Sequence, residues 1–163
     1  MNRVIYPGSF DPITNGHLDI IKRSIKMFNE VHVVVMHNPS KRGNFSVEER
    51  IELIKDSIKD IEGNIIVTSF DGLMVDYCEK SGIYTVVRGL RALTDFDYEF
   101  QMALTNRQLK QEVESVLLVT NIMYSYVSSS LVMEIASFNG DVSHMVPENV
   151  NKVIIERMKN KKI

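Results

Sequence analysis

Between Pro7 and His17 the chain reads Pro7-Gly8-Ser9-Phe10-Asp11-Pro12-Ile13-Thr14-Asn15-Gly16-His17, a stretch whose residue types suit the binding of phosphate. It follows a short apolar segment, Val4-Ile5-Tyr6, and precedes an amphipathic helical pattern. Thr14 to His17 therefore falls where a strand gives way to a helix N-terminus. Such a terminus presents backbone N–H donors and the positive end of the helix dipole, both favourable to anions. Gly8 and Gly16 would let the backbone approach a ligand closely. A histidine at that terminus can donate a hydrogen bond to a phosphate, and the whole stretch suits a nucleoside triphosphate. A Pro/Gly-rich turn joining strand to helix accounts for the same residues without a ligand. The rest of the chain has to decide between these two readings.

Three further groups bear on that decision. Lys41-Arg42 lies in the polar loop His37-Asn38-Pro39-Ser40-Lys41-Arg42-Gly43-Asn44. A solvated basic turn explains it, yet a lysine leaving the sheet at the same edge as His17 is a mobile point charge for the same phosphates. Arg88 and Arg91 flank Gly89-Leu90 at the end of another apolar run. An arginine there needs a partner, either an ion pair with Asp95, Asp97 or Glu99, or a phosphate held in bidentate fashion. Ser128-Ser129-Ser130 opens a helix; one serine suffices for an N-cap, and three after Tyr124-Ser125-Tyr126 suggest a second anion cradle. Leu73-Met74 suits a pocket lining or simply the core.

Other signatures are absent. The chain has no G-x-x-x-x-G-K-[ST] and no G-x-G-x-x-G after its first strand, which removes the P-loop and weakens a dinucleotide-redox reading. His17, His32, His37 and His144 show no metal-ligand spacing, and His32 reads as structural.

The elements that must position these groups alternate. A helix carries Leu18, Ile21, Ile25 and Phe28 on one face. Val31 to Met36 reads as a buried parallel strand. Ser46-Val47-Glu48-Glu49 reads as a capping box for a helix bearing Ile51, Ile54 and Ile58. Strands follow at 65–70, 84–87 and 116–119, with helices at 73–81, from Thr94 or Asp95 to about 112, from Ser128 to Asn139, and from Pro147 onward. Five strands separated by helices imply a doubly wound α/β fold with a five-stranded parallel sheet. In such sheets ligands bind beyond the strands' C-terminal ends, where strand order reverses. The loops carrying His17, Lys41 and Arg88 all leave C-terminal strand ends, which points to one shared site.

At 163 residues, 44% hydrophobic and 25% charged, the chain has the size and composition of one globular domain spanning 1–163. A net charge of −2 provides no field for nucleic acid or membrane. No signal peptide or membrane-spanning run is expected, and with Cys78 alone no disulfide can form within the chain. Cytoplasmic residence is the simplest expectation.

Taken in order and at these spacings, Tyr6 to His17, Arg88-Gly89-Leu90-Arg91, Asp95-Phe96-Asp97-Tyr98-Glu99, Ser128-Ser129-Ser130 and Gly140-Asp141-Val142 resemble the phosphopantetheine adenylyltransferase family. That family lies among the Rossmann-like nucleotidyltransferases with a T-x-G-H motif. The short motif is shared across the superfamily; the full set, from Ile5 to about Val153, is specific. The resemblance implies transfer of the adenylyl group of ATP to 4′-phosphopantetheine with Mg²⁺, giving dephospho-coenzyme A and pyrophosphate. It implies that Ser9, Lys41, Met74 and Arg88 contact the acceptor. It also implies that Ser9, Phe10, His17, Gly89, Leu90, Arg91, Glu99, Tyr124, Ser125, Tyr126, Val127, Ser128, Ser129 and Ser130 contact ATP. His17, Lys41 and Arg91 would carry the catalysis. A homohexamer inhibited by coenzyme A is likewise implied. Ser9 stands where Thr is frequent, Val127 where Ile is usual and Tyr126 where Phe is common, all mild departures. A related transferase acting on nicotinamide mononucleotide or a polyol phosphate is the near rival. Cytidylyltransferases usually carry Arg-Thr-x-Gly-Ile-Ser in the region where this chain has Tyr124 to Ser130. A non-catalytic nucleotide sensor is the rival from another class.

Overall fold

The computed structural model describes residues 2–37, 43–91 and 93–160, so the expected Lys41-Arg42 contact falls outside the described residues. The elements run β1 (Arg3–Gly8), α1 (Asn15–Met27), β2 (Glu30–His37), α2 (Val47–Ile58), β3 (Asn64–Asp71), α3 (Met74–Ser81), β4 (Thr85–Leu90), α4 (Leu93–Leu109), β5 (Glu114–Val119), α5 (Ser129–Ser137) and α6 (Glu148–Asn160), with a 3₁₀ turn at Ile122–Tyr124. All strand pairings are parallel and their spatial order is β3-β2-β1-β4-β5. The chain therefore winds outward from β1 in one direction, then returns to β1 and winds in the other. The reversal lies between β1 and β4, where Ile5 is in register with Val86, and it opens the crevice in which α/β sheets bind ligands.

The central strands are apolar on both faces because helices cover both. Val4, Tyr6, Val31, Val33 and Val35 join the core formed with α1, α2, α5 and α6. Ile5, Val34 and Val86 join a smaller core with Val75, Tyr77 and Cys78 on α3. Burial pushes the Cys78 thiol up to about 11, so it behaves as a small apolar filler. His32 is held between Glu30 (2.8 Å) and the Tyr77 hydroxyl (2.9 Å), the structural role expected of it.

Helix starts follow local chemistry. The capping box at Ser46 and Glu49 forms as expected, with Ser46 Oγ accepting the Glu49 amide and Glu49 accepting the Ser46 amide. Gly82 ends α3 at φ 65°, the left-handed conformation glycine adopts without strain. β4 extends through Arg88, Gly89 and Leu90 rather than stopping at Val87, since these residues pair with Leu117, Leu118 and Val119 of β5. α4 starts at Leu93, leaving Asp95 inside its first turn, and ends at Leu109.

Candidate active site

Thr14, Asn15, Gly16 and His17 form a capping box in which histidine occupies the place usually held by Glu or Gln. Thr14 Oγ1 accepts the His17 amide at 3.3 Å, and His17 Nδ1 accepts the Thr14 amide at 3.0 Å. The second bond has chemical consequences. Burial, helped by Arg91 and Arg88, lowers the His17 pKa to about 4, so the ring is neutral near pH 7. A neutral imidazole whose Nδ1 accepts a hydrogen bond carries its proton on Nε2. The box that starts the helix thus also fixes the tautomer and leaves one N–H donor for a ligand.

The histidine is braced from behind. Phe10 is 1% exposed, and its ring meets the His17 ring edge-on at 5.1 Å and the Tyr6 ring at 5.4 Å. Gly8 makes room for it, since a Cβ there would lie 3.0 Å from the Phe10 ring. Gly8 therefore serves an intramolecular contact as well as any ligand approach. Phe10 adopts φ 46°, a conformation costly for a bulky residue.

Two adjoining pockets, a polar lobe and a more apolar lobe, lie at the β1/β4 crevice and share part of their walls. The polar lobe, about 270 Å³, is bounded by Thr14 and His17 on one side, Arg88 and Arg91 on another, and Ser128, Ser129 and Ser130 on a third. The more apolar lobe, about 420 Å³, is bounded by Met36, Leu73, Met74, Met102 and Ala103. Gly8, Ser9, Arg88 and Glu99 line both.

Both arginines make ion pairs from the set expected by sequence. Arg88 grips Glu99 through Nε (2.7 Å) and Nη2 (2.8 Å), while its Nη1 donates to the Pro7 carbonyl at 2.8 Å. Burial works against the Arg88 charge, but the Glu99 carboxylate outweighs it and holds the guanidinium above its ordinary value. Arg91 Nε donates to Asp95 at 2.9 Å and Nη1 to the Val127 carbonyl at 3.2 Å. Its side chain keeps 39% exposure at the lobe, so an ion pair here does not exclude a phosphate.

The serines divide their work. Ser128 caps α5 by accepting the Leu131 amide at 3.1 Å, and Ser129 Oγ donates to the Pro12 carbonyl at 2.7 Å. The amides of Ser129 and Ser130 are among those a helix start leaves without an intrahelical acceptor, and both residues border the polar lobe.

Of the residues expected at ATP, Ser9, His17, Gly89, Arg91, Glu99, Tyr124, Val127, Ser128, Ser129 and Ser130 border the polar lobe. Phe10, Leu90, Ser125 and Tyr126 do not: the Phe10 ring faces the core, and the Tyr126 side chain turns outward. Of the residues expected at the acceptor, Ser9, Met74 and Arg88 border the apolar lobe. Sequence reasoning did not single out Tyr6, Ile20, Thr120, Met36, Tyr98 or Met102 for the site. Tyr6 and Ile20 fit a core pattern and Met36 and Thr120 lie at strand ends, while Tyr98 and Met102 lie on α4, whose apolar residues mark no single face.

Among the described residues no group of three His, Cys, Asp or Glu side chains could hold a metal ion. No helix among them is long and apolar enough to cross a membrane.

A family model described as Cytidylyltransferase-like matches residues 5–135. The phosphopantetheine adenylyltransferase of Streptomyces coelicolor is 51% identical over 161 residues, covering 99% of this chain and all of that one. That of Alkaliphilus metalliredigens is 52% identical, covering 96% of this chain and 97% of its own. Among solved structures, nicotinic acid mononucleotide adenylyltransferase of Plasmodium falciparum has a TM-score of 0.69 at 16% identity, covering 96% and 95% of the two chains; at that distance it speaks for the fold. With the T-x-G-H helix start, the paired arginines and the serine cradle set around one crevice, the chain belongs to the phosphopantetheine adenylyltransferase family, within the cytidylyltransferase-like nucleotidyltransferases.

Proposed function

We propose that the two lobes divide the substrates of an adenylyl transfer, with ATP in the polar lobe and 4′-phosphopantetheine in the apolar one. The observation that carries this reading is their junction. Arg88 and Ser9 stand between a helix terminus suited to phosphate and a methionine-lined slot suited to a pantetheine arm. The attacking phosphate is already ionised at neutral pH, so no general base is needed. The obstacles are charge repulsion and alignment, and both yield to positioning and electrostatics.

In this mechanism neutral His17 donates its Nε2 proton in a hydrogen bond to the α-phosphate as negative charge grows there. Arg91 spreads that charge. Arg88, with Lys41 by resemblance, holds the acceptor phosphate. Glu99 uses both carboxylate oxygens on Arg88, so its part is to aim that guanidinium. The amides of Ser129 and Ser130 and the Ser130 hydroxyl hold the β- and γ-phosphates as pyrophosphate departs. Mg²⁺, which usually binds through substrate phosphates with few protein ligands, would be held by the triphosphate and would offset its charge.

A homohexamer fits the exposure of the apolar side chains Phe100, Leu104, Val119, Ile122 and Met123. Inhibition by coenzyme A fits the acceptor lobe, since that molecule carries the same pantetheine arm. Cytoplasmic residence belongs to the same reading.

Two measurements check it. Protein with MgATP and 4′-phosphopantetheine should release pyrophosphate and form dephospho-coenzyme A. Turnover of nicotinamide mononucleotide in its place would reject the acceptor. Ser130→Ala should weaken binding of a non-hydrolysable ATP analogue several-fold by calorimetry with little change in melting temperature. Ser128→Ala should do the reverse and cost about 1 kcal/mol of stability through the lost cap. An inert Ser130→Ala would place the triphosphate elsewhere.

A further inference from the structure

The loop entering α2 is held in an unusual way. Asn44 and Phe45 present four backbone polar groups, and three charged side chains take all of them. Asp11 accepts both amides, from Asn44 at 2.7 Å and from Phe45 at 2.8 Å. Arg50 Nε donates to the Phe45 carbonyl at 2.8 Å, and Arg157 donates to the Asn44 carbonyl. Arg50 is 6% exposed, pairs with Asp11 at 3.4 Å, and reaches on to the Ser9 carbonyl at 3.3 Å. Arg157, on the C-terminal helix, lies 4.2 Å over the Phe45 ring and pairs with Glu49.

These contacts converge on both sides of one strained residue. Ser9 and Asp11, the neighbours of Phe10, are each fixed by the network. Phe10 holds φ 46° with its ring against His17. A strained backbone persists only where its surroundings over-determine it, and here the surroundings are three charges from the first loop, α2 and α6. None of the three borders either lobe. Each Asp11 oxygen accepts one of the two backbone amides.

We propose that Asp11, Arg50 and Arg157 are positioning residues for the transfer: they hold the Asn44–Phe45 segment, lock Ser9 to Asp11 through it, and so keep the Phe10 ring braced against His17. The inference rests on the reading of His17 as the group that stabilises the transition state. Small misplacements from changes outside the reacting centre can cost about 10²-fold in rate.

The test is a kinetic cycle with His17, run at a temperature where every variant is folded. Asp11→Asn keeps the size of the side chain but sets an amide against one of the two backbone N–H groups. It should lower kcat by roughly 10²-fold with the ATP dissociation constant within about twofold of the parent, because the serine and arginine contacts remain. In a His17→Ala background the same substitution should cost less than about twofold further, since there is no longer a histidine to align. If Asp11→Asn fails to fold, Arg157→Met carries the same test. That side chain is partly exposed near the chain's end, and its expected kcat loss is about tenfold with the same non-additivity. A lowered melting temperature with kcat unchanged would overturn the proposal and leave these residues merely structural. Losses that multiply in the double variant would also overturn it. A His17→Ala protein with normal turnover would instead reject the role of His17, an outcome separate from either of those.

Discussion

Replacing His17 by alanine is expected to lower kcat by roughly 10²-fold or more, the scale of losing one preorganised donor to a developing oxyanion, while ATP affinity changes little. The ring is neutral, its Nδ1 is occupied by the Thr14 amide, and the residue borders the polar lobe. His17→Gln separates this role from capping. Glutamine is a usual third residue of a capping box, so it should restore melting temperature fully and turnover only in part. The pH dependence follows from the lowered pKa. With a folded pKa of about 4 against about 6.5 when unfolded, the unfolded chain binds more protons between these values. Stability contributed by the neutral ring is therefore complete above about pH 6.5 and is lost as the pH falls toward 4. His17→Gln should show a shallower loss of stability over that interval. Activity should show no inflection near pH 6.5 from this histidine. Such an inflection, abolished by His17→Gln, would mean that the ring acts as a cation.

Arg88→Met is expected to be the most damaging substitution to the fold at the site. Glu99 is 8% exposed and has both oxygens on Arg88. Without its partner it becomes a buried unpaired charge, which costs about 3–5 kcal/mol when such pairs are broken. Denaturant unfolding at pH 7 should show that loss. The double variant Arg88→Met/Glu99→Gln removes the stranded charge and should recover most of the stability, yet turnover should stay low and KM for the acceptor high. Recovered activity in the double variant would show that the pair only braces the crevice.

Much of this was legible from sequence where one physical pattern dominated. The nearly unbroken apolar run at Val31 to Met36 announced a strand buried on both faces. Ser46 and Glu49 announced a helix start, and the loops after the first, second and fourth strands announced a shared edge. The ends of β4 were not legible, because Arg88 and Gly89 look like loop residues until β5 pairs with them. The limits of α4 were hidden by apolar residues distributed around the whole helix. For the arginines the sequence offered three acidic partners, and only three-dimensional placement selects Glu99 for Arg88 and Asp95 for Arg91. The buried Arg50 was invisible for a similar reason: within Val47–Ile58 it resembles any surface charge, and its partners lie in the first loop. The Thr14–His17 capping box was present in the spacing but obscured by the ligand-binding reading of the same four residues.

The central claim is direct attack by the acceptor phosphate on the α-phosphorus, with His17 as a hydrogen-bond donor. The stereochemical course at that phosphorus tests it most directly, using ATP made chiral by sulfur at the α-position. A single in-line displacement inverts the configuration in dephospho-coenzyme A, and inversion is the expected result. Retention would mean two displacements through an adenylylated side chain, and would contradict the account.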